Sequence, residues 1–287
     1  MNGRLMLLHG LTPIHTGTGQ SVDVIDLPVA REKTTFWPYL PGSSLKGVLR
    51  DACEPISGNK SLWIAAFGPK TENTADGAGM LLFCDARLLC LPVRSFKGTF
   101  AWVTCPSVLH RVQRDLKAVD GMTLPEVPAM PVFDRVMTCQ GSVVRIDDKL
   151  YLEDLDVTAP QGDATPIAMT LARWAFTDAG EQKAFIERFA LVSDDLFTFL
   201  TETATEVTAR IAIDEKVKTV KDGHLWYEEA LPAESLFWSL ILAAPRNETP
   251  ESELFAVLNP ALSGLLQIGG HAGVGRGLVR AYLQGGA

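Results

Sequence analysis

PIHTGTGQSVDVIDLPVAREKTTFWPYLPGSSLKGVLR, residues 13–50, follows an apolar stretch at residues 4–11 that reads as a first strand. It cannot itself be core, because it mixes small residues, prolines, His15, Asp23, Asp26 and a basic helix start. The end of the segment sets the helix. Ser43 or Ser44 is placed to cap it, Leu45, Val48, Leu49 and Ala52 fall at i, i+3, i+4 and i+7, and Lys46 and Arg50 share the opposite face. A second segment, QIGGHAGVGRGLVRAY at residues 267–282, gathers Gly269, Gly270, Gly273, Gly275 and Gly277 around His271 and Arg276. Backbone N–H groups without side chains approach a ligand closely, and with Lys and Arg nearby the natural ligand is a phosphate. A helix start with two serines and a lysine suits the same ligand. A solvated basic helix face and a tight turn would give the same two patterns.

Working outward, strands are expected at residues 80–93 and 99–104. A helix capped by Ser107 is expected to run to about residue 119, and a further helix to cover residues 184–201. Residues 120–176, rich in Pro and Gly with strand candidates at 142–146 and 150–152, read as an insertion. Residues 206–229 alternate as a hairpin turning at Asp222-Gly223, with Lys216, Lys218 and Lys221 near its tip. A strand at 236–244, a short helix at 250–258 and a closing strand at 278–283 follow. Strands interleaved with helices predict an α+β, ferredoxin-like or RNA-recognition-type core within one domain over residues 1–287.

The 287 residues, 47% apolar, are enough for a full core. No apolar run approaches the ~18 residues of a membrane span, so a cytoplasmic protein without a membrane partner is expected. The five cysteines are scattered and include no C-x-x-C pair, which supports neither a disulfide framework nor a zinc site. A net charge of −8 argues against bulk electrostatic binding of nucleic acid. Charge is nevertheless segregated. Arg87, Arg94, Lys97, Arg111, Arg114 and Lys117 face the single acid Asp115 in one stretch, while acids crowd residues 147–156 and 194–229.

Asp26 lies among apolar neighbours ahead of a proline that favours extended backbone. A carboxylate there can orient a nucleophile, take its proton, hold a divalent ion, or simply satisfy turn N–H groups. Asp23 competes for the role. His15 could serve as an acid or a phosphate contact. Trp226, Tyr227, Glu228 and Glu229 could supply a second carboxylate or a stacking surface, and equally could be hairpin packing with solvated glutamates. The glycine-rich tail lacks the ending of a phosphate-binding Walker loop and has no βαβ unit after it.

In their order, PIHTGTG, VIDLPVARE, YLPGSSLKGVLR, DARLLCLPVRSFKGTFAWVTCP, TARIAIDEKVKTVKDGHLWYEE and QIGGHAGVGRGLVRAY resemble the RAMP superfamily of CRISPR-associated proteins. The resemblance is strongest to the repeated backbone subunit of the type III-B, or Cmr, effector complex. It implies a palm with an inserted hairpin thumb at about residues 206–229, and a subunit that stacks on itself along a guide RNA with other Cmr subunits. It further implies cleavage of the complementary single-stranded target RNA, with Asp26 at the divalent metal, Mg2+ being the expected ion. His15, Tyr227 and Glu228 or Glu229 fall where accessory active-site elements are implied. Lys46 resembles the guide-backbone contact, in a surface with Ser43, Ser44, Arg50, Gly269, Gly270, His271, Gly273, Gly275 and Arg276. Alternative readings are a non-catalytic RNA-binding scaffold of the same complex and a nucleotide-binding enzyme.

Overall fold

The computed structural model describes residues 2–17, 19, 25–55, 60–69, 78–130, 132–159, 162–213, 220–244, 246 and 249–285, with backbone alone at 213 and 220–223. Asp23, Lys216 and Lys218 lie outside the described residues, and of Lys221 only the backbone is described. The chain opens with β1 (Gly3–Gly10), β2 (Tyr39–Leu40), α1 (Gly42–Ala52), α2 (Lys60–Phe67), β3 (Leu81–Phe83), β4 (Ala86–Arg94), β5 (Phe100–Thr104) and α3 (Pro106–Asp115). The middle holds β6 (Val136–Thr138), β7 (Lys149–Leu152), β8 (Leu155–Thr158), α4 (Thr165–Ala175), α5 (Ala179–Arg188), β9 (Phe189–Val192) and α6 (Asp194–Thr203). The last third holds β10 (Glu206–Ile213), β11 (Val220–Ala230), β12 (Leu236–Ala243), α7 (Glu251–Ala256), α8 (Asn259–Leu262), β13 (Leu265–Gln267) and β14 (Leu278–Gln284).

One ten-stranded mixed sheet runs in the order β13-β14-β1-β12-β4-β5-β9-β6, with β2 on β4 and β3 on β12. Among the described residues, β5 and β9 are the only named strands that pair in parallel. β1 and β12 are near-continuous apolar runs and almost wholly buried, as expected of central strands covered on both faces. α1 packs on β3 and β13, α3 on β4, α4 on β1 and β14, and α5 on β5. Within the expected insertion, β6 joins the main sheet through β9, α4 buries Ile167, Ala168, Leu171, Ala172 and Ala175, and β7–β8 make a separate small hairpin.

Several expected elements change. The stretch read as one strand at 80–93 is two, β3 and β4, and the helix expected over 184–201 is interrupted by β9. Phe-Ala-Leu-Val at 189–192 is wholly buried, and a short apolar run of this kind reads equally as helix or strand until it finds a partner. Neither serine caps α1. Its N-cap is Pro41, and the Gly42 N–H donates instead to Asp85 Oδ1 at 2.7 Å. Ser107 does not cap α3, whose N-cap is Cys105; its N–H and hydroxyl both donate to Asp194. In the hairpin β10–β11, Ile213 pairs with Val220. Asp222-Gly223 therefore lies inside β11, where the register shifts between Ile211 and Ile213.

Trp102, Phe176, Phe185 and Phe189 form an aromatic cluster with ring centroids 5.1–5.5 Å apart around Phe185. It joins α5 to the parallel pair β5–β9. Phe189→Ala is expected to lower the unfolding free energy by about 3–5 kcal/mol with an unchanged denaturant slope, checked by urea unfolding.

Candidate active site

Four chain segments meet at the root of the β10–β11 hairpin. Residues 14–17 bridge to Leu231 and Val29, Leu27 bridges in parallel to Glu228, and the glycine-rich connection between β13 and β14 docks through Gly270 N–H to the His15 carbonyl at 2.8 Å. Gly269 is required at that contact: its φ is +89°, and a Cβ there would stand 2.2 Å from the His15 oxygen.

Successive residues of a strand face opposite ways, so β11 divides its side chains between two faces. Glu229 is buried and fully engaged. Its Oε1 accepts from Arg31 at 2.5 Å and its Oε2 from the Val29 N–H at 3.0 Å. Arg31 is itself held by the carbonyls of Phe36 and Thr201. On the other face Glu228, equally buried, accepts from Trp226 Nε1 at 2.9 Å and Arg210 Nε at 3.0 Å, and His271 Nε2 stands 3.6 Å from its Oε1. Burial alone would raise the Glu228 carboxyl, but the hydrogen bonds from Trp226 and Arg210 and the charges of His271 and Arg210 hold it below the ordinary 4.5. It is an anion at neutral pH. The solvated-glutamate reading of this pair therefore fails for both residues.

Asp26 is half-buried, its Oδ2 accepting from the Tyr227 N–H at 2.7 Å. Tyr227 is 40% exposed, beside Val207, Ile211 and Leu225 on the hairpin face shared with Glu229. His15 is buried and its Nδ1 hydrogen-bonds the Glu229 carbonyl at 2.7 Å. His271 adopts a left-handed φ of 63°, and its ring lies 5.2 Å from that of His15.

The glycine-rich connection is largely bonded to itself and to its neighbours. Gly277 N–H donates to Pro13, Gly275 N–H to Ala272, and Val274 and Arg276 N–H to His271, which removes them from any phosphate cradle. Gly273 stays exposed with open space around it. The Arg276 side chain reaches Thr208 on β10 at 3.4 Å. On α1, Ser43 is exposed and Ser44 and Lys46 half-buried, while Arg50 lies over the Trp63 ring at 4.5 Å and serves packing. With Asp85 on the first N–H, an anion at α1 would meet side chains rather than that helix end.

A model of the RAMP superfamily matches residues 7–280. The chain belongs to the RAMP superfamily. It is 36% identical over 290 residues, 99% of this RAMP protein and 96% of the relative, to the CRISPR system Cmr endoribonuclease Cmr4 of Pyrococcus furiosus. To the CRISPR system CMR subunit Cmr4 of Saccharolobus solfataricus it is 22% identical over 95% of the chain and 93% of the relative. The crystal structure of oligomeric Cmr4 from Pyrococcus furiosus superposes with a TM-score of 0.77 at 31% identity, covering 100% of this chain and 99% of that one. A chain of the type III-B Cmr-beta complex bound to cognate target RNA shares the fold, with a TM-score of 0.78 at 19% identity over 99% and 97% of the two chains.

Among the residues brought together here, Arg31 and Arg210 were not singled out in the sequence. Arg210 was within reach of it, because it faces Trp226 across the hairpin, diagonal to Glu228. Arg31 carried no such signal, being 198 residues from Glu229.

Glu229→Gln is expected to cost about 3 kcal/mol, because it leaves the Arg31 charge buried without its counter-ion; thermal or urea unfolding checks it. The stabilisation from Glu228 is complete above its unfolded value near 4.5 and is lost as pH falls through its lower folded value. Wild type and Glu228→Gln should therefore differ in melting temperature at pH 6 and converge in more acidic buffer.

Proposed function

We propose that this chain is the repeated backbone subunit of a type III-B CRISPR ribonucleoprotein, binding guide RNA along a filament of its own copies and cutting the complementary target RNA. The main sheet acts as a ferredoxin-like palm and β10–β11 as the thumb. The observation carrying this reading is full-length similarity to an endoribonuclease, combined with Asp26 and His15 anchored to Tyr227 and Glu229, alternate residues of one strand at the thumb's root. Guide pairing reads sequence, so the protein needs only backbone and shape contacts, and a chain of net charge −8 can serve.

Cleavage is in-line attack of a target 2′-hydroxyl on the adjacent phosphorus at a nucleotide splayed by the thumb. Asp26 orients that hydroxyl or holds a divalent ion. Among the described residues no cluster of three His, Cys, Asp or Glu forms a metal cage. A lone carboxylate nevertheless fits Mg2+, which commonly takes one or two carboxylates and completes its shell with water and substrate phosphate. When bound, the ion would neutralise charge developing on the phosphate. Among the described residues no helix is long and apolar enough to cross a membrane.

A second reading, a non-catalytic scaffold in the same complex, is favoured by the buried carboxylates: Glu229 is fully engaged and Glu228 closely paired. The test is cleavage of a labelled guide-complementary RNA by the reconstituted complex in Mg2+. Asp26→Asn is expected to remove the regularly spaced products, a loss of more than ~100-fold, with target binding unchanged, and chelation of Mg2+ to do the same reversibly. Undiminished cleavage by Asp26→Asn would leave this chain the scaffold.

A further inference from the structure

The hairpin root contains two histidines in opposite hydrogen-bonding situations. His15 Nδ1 meets a backbone carbonyl, which can only accept, so Nδ1 carries the proton and the neutral ring keeps its lone pair on Nε2. That nitrogen is left uncovered by Gly17, where a Cβ would stand 2.7 Å away. His271 faces the buried Glu228 carboxylate, its Nε2 3.6 Å from Oε1, which holds the ring at the mouth of the site. The His271 side chain is 30% exposed, against 3% for Glu228, so it is the member of that pair open to a substrate. Its left-handed backbone is the kind of local strain that concentrates at functional sites, and Gly270, bonded to the His15 carbonyl, ties the two rings together.

On the reading that this chain cleaves RNA, we infer that His271 is a second acid–base residue: as the imidazolium it protonates the leaving 5′-oxygen, while His15 Nε2 accepts the proton of the attacking 2′-hydroxyl. The O2′–P bond forms and the P–O5′ bond breaks, leaving a 2′,3′-cyclic phosphate and a 5′-hydroxyl. One proton has moved to His15 and one from His271, and exchange with water restores both. With ring centroids 5.2 Å apart, both imidazoles lie within reach of one phosphodiester. Glu228 is then a positioning residue. Among the described residues, Glu228 on β11 and His15 on the opening loop face His271, Arg210 on β10 binds the same Glu228 carboxylate, and Arg276 on its own connection donates its N–H to the His271 carbonyl.

The test uses single-turnover cleavage by the reconstituted complex. His271→Asn, which tolerates the left-handed conformation, is expected to slow cleavage ~10²–10³-fold with target RNA still bound. A target carrying a 5′-bridging sulfur at the cut site, whose leaving thiolate needs no proton, should restore His271→Asn to near the wild-type rate and leave Asp26→Asn inactive. Glu228→Gln, which removes the carboxylate that positions the His271 ring, should slow cleavage of the oxygen target more than of the 5′-bridging-sulfur target, a difference that a merely structural effect would not produce. Wild-type cleavage by His271→Asn would overturn the inference, and so would an equal loss on both targets. If the wild-type complex cuts neither target, the nuclease reading fails and takes this inference with it.

Discussion

Everything at the hairpin root depends on the pairing of Arg31 with Glu229. The two are 198 residues apart, both nearly inaccessible, and the Asp26 and His15 anchors are hung on the strand they fix. Glu229 contributes all its polar atoms: its carboxylate binds Arg31 and Val29, its N–H binds Leu27, and its carbonyl binds His15. One residue thereby sets the positions of the Asp26 loop and of the His15 ring. Buried ion pairs add little net stability, because desolvation offsets most of the Coulombic gain. The value of this one lies in geometry, since any other docking of the 25–31 segment would strand a buried charge.

The alternation of β11 explains how one strand serves two purposes. Glu229 points to the face that pins the chain, and Glu228, one residue earlier, points to the face closed over by the glycine-rich connection. Because its neighbours Trp226 and Arg210 already donate to it, Glu228 keeps its charge despite burial and can orient His271. Had the register slipped by one residue, the two carboxylates would exchange environments and both sets of contacts would be lost. The bulge beyond Ile211 leaves this register intact at the root, where Val207 faces Glu229 and Arg210 faces Trp226.

Much of the fold was legible along the chain because periodicity is local. The first strand, α1, the hairpin and the closing strand all declared themselves through spacing. What failed did so for lack of long-range information. Asp85 takes the α1 N–H group that the serines were expected to cap, Asp194 takes Ser107, and β9 becomes a strand only because β5 and β6 lie on either side of it. At the site, Asp26, His15 and the two glutamates stood out by type. Which glutamate pins and which faces an imidazole needed only the strand period and the place of the glycine-rich connection. The proximity of His271 to His15 needed the whole fold, since β14 must pair with β1 before residues 271 and 15 can meet.

Charge in this molecule is matched almost as fast as it appears. Arg87 and Arg111 share Glu32, Arg87 and Arg114 share Asp115, and the cleft of about 490 Å³ lined by Arg31, Lys33, Arg87, Arg111 and Arg114 is also lined by Glu32 and Asp85. Glu32 illustrates the balance: burial would raise its carboxyl, yet hydrogen bonds from Thr35 and Arg111 and the two guanidinium charges keep it lowered and ionised. A surface built this way does not attract polyanions indiscriminately, because long-range attraction follows net charge while short-range fit follows individual donors. On the proposed function, RNA affinity arises chiefly where several copies align their donors along one strand. On that reading, assembly on a guide rather than binding by a single chain is the state in which the site is used.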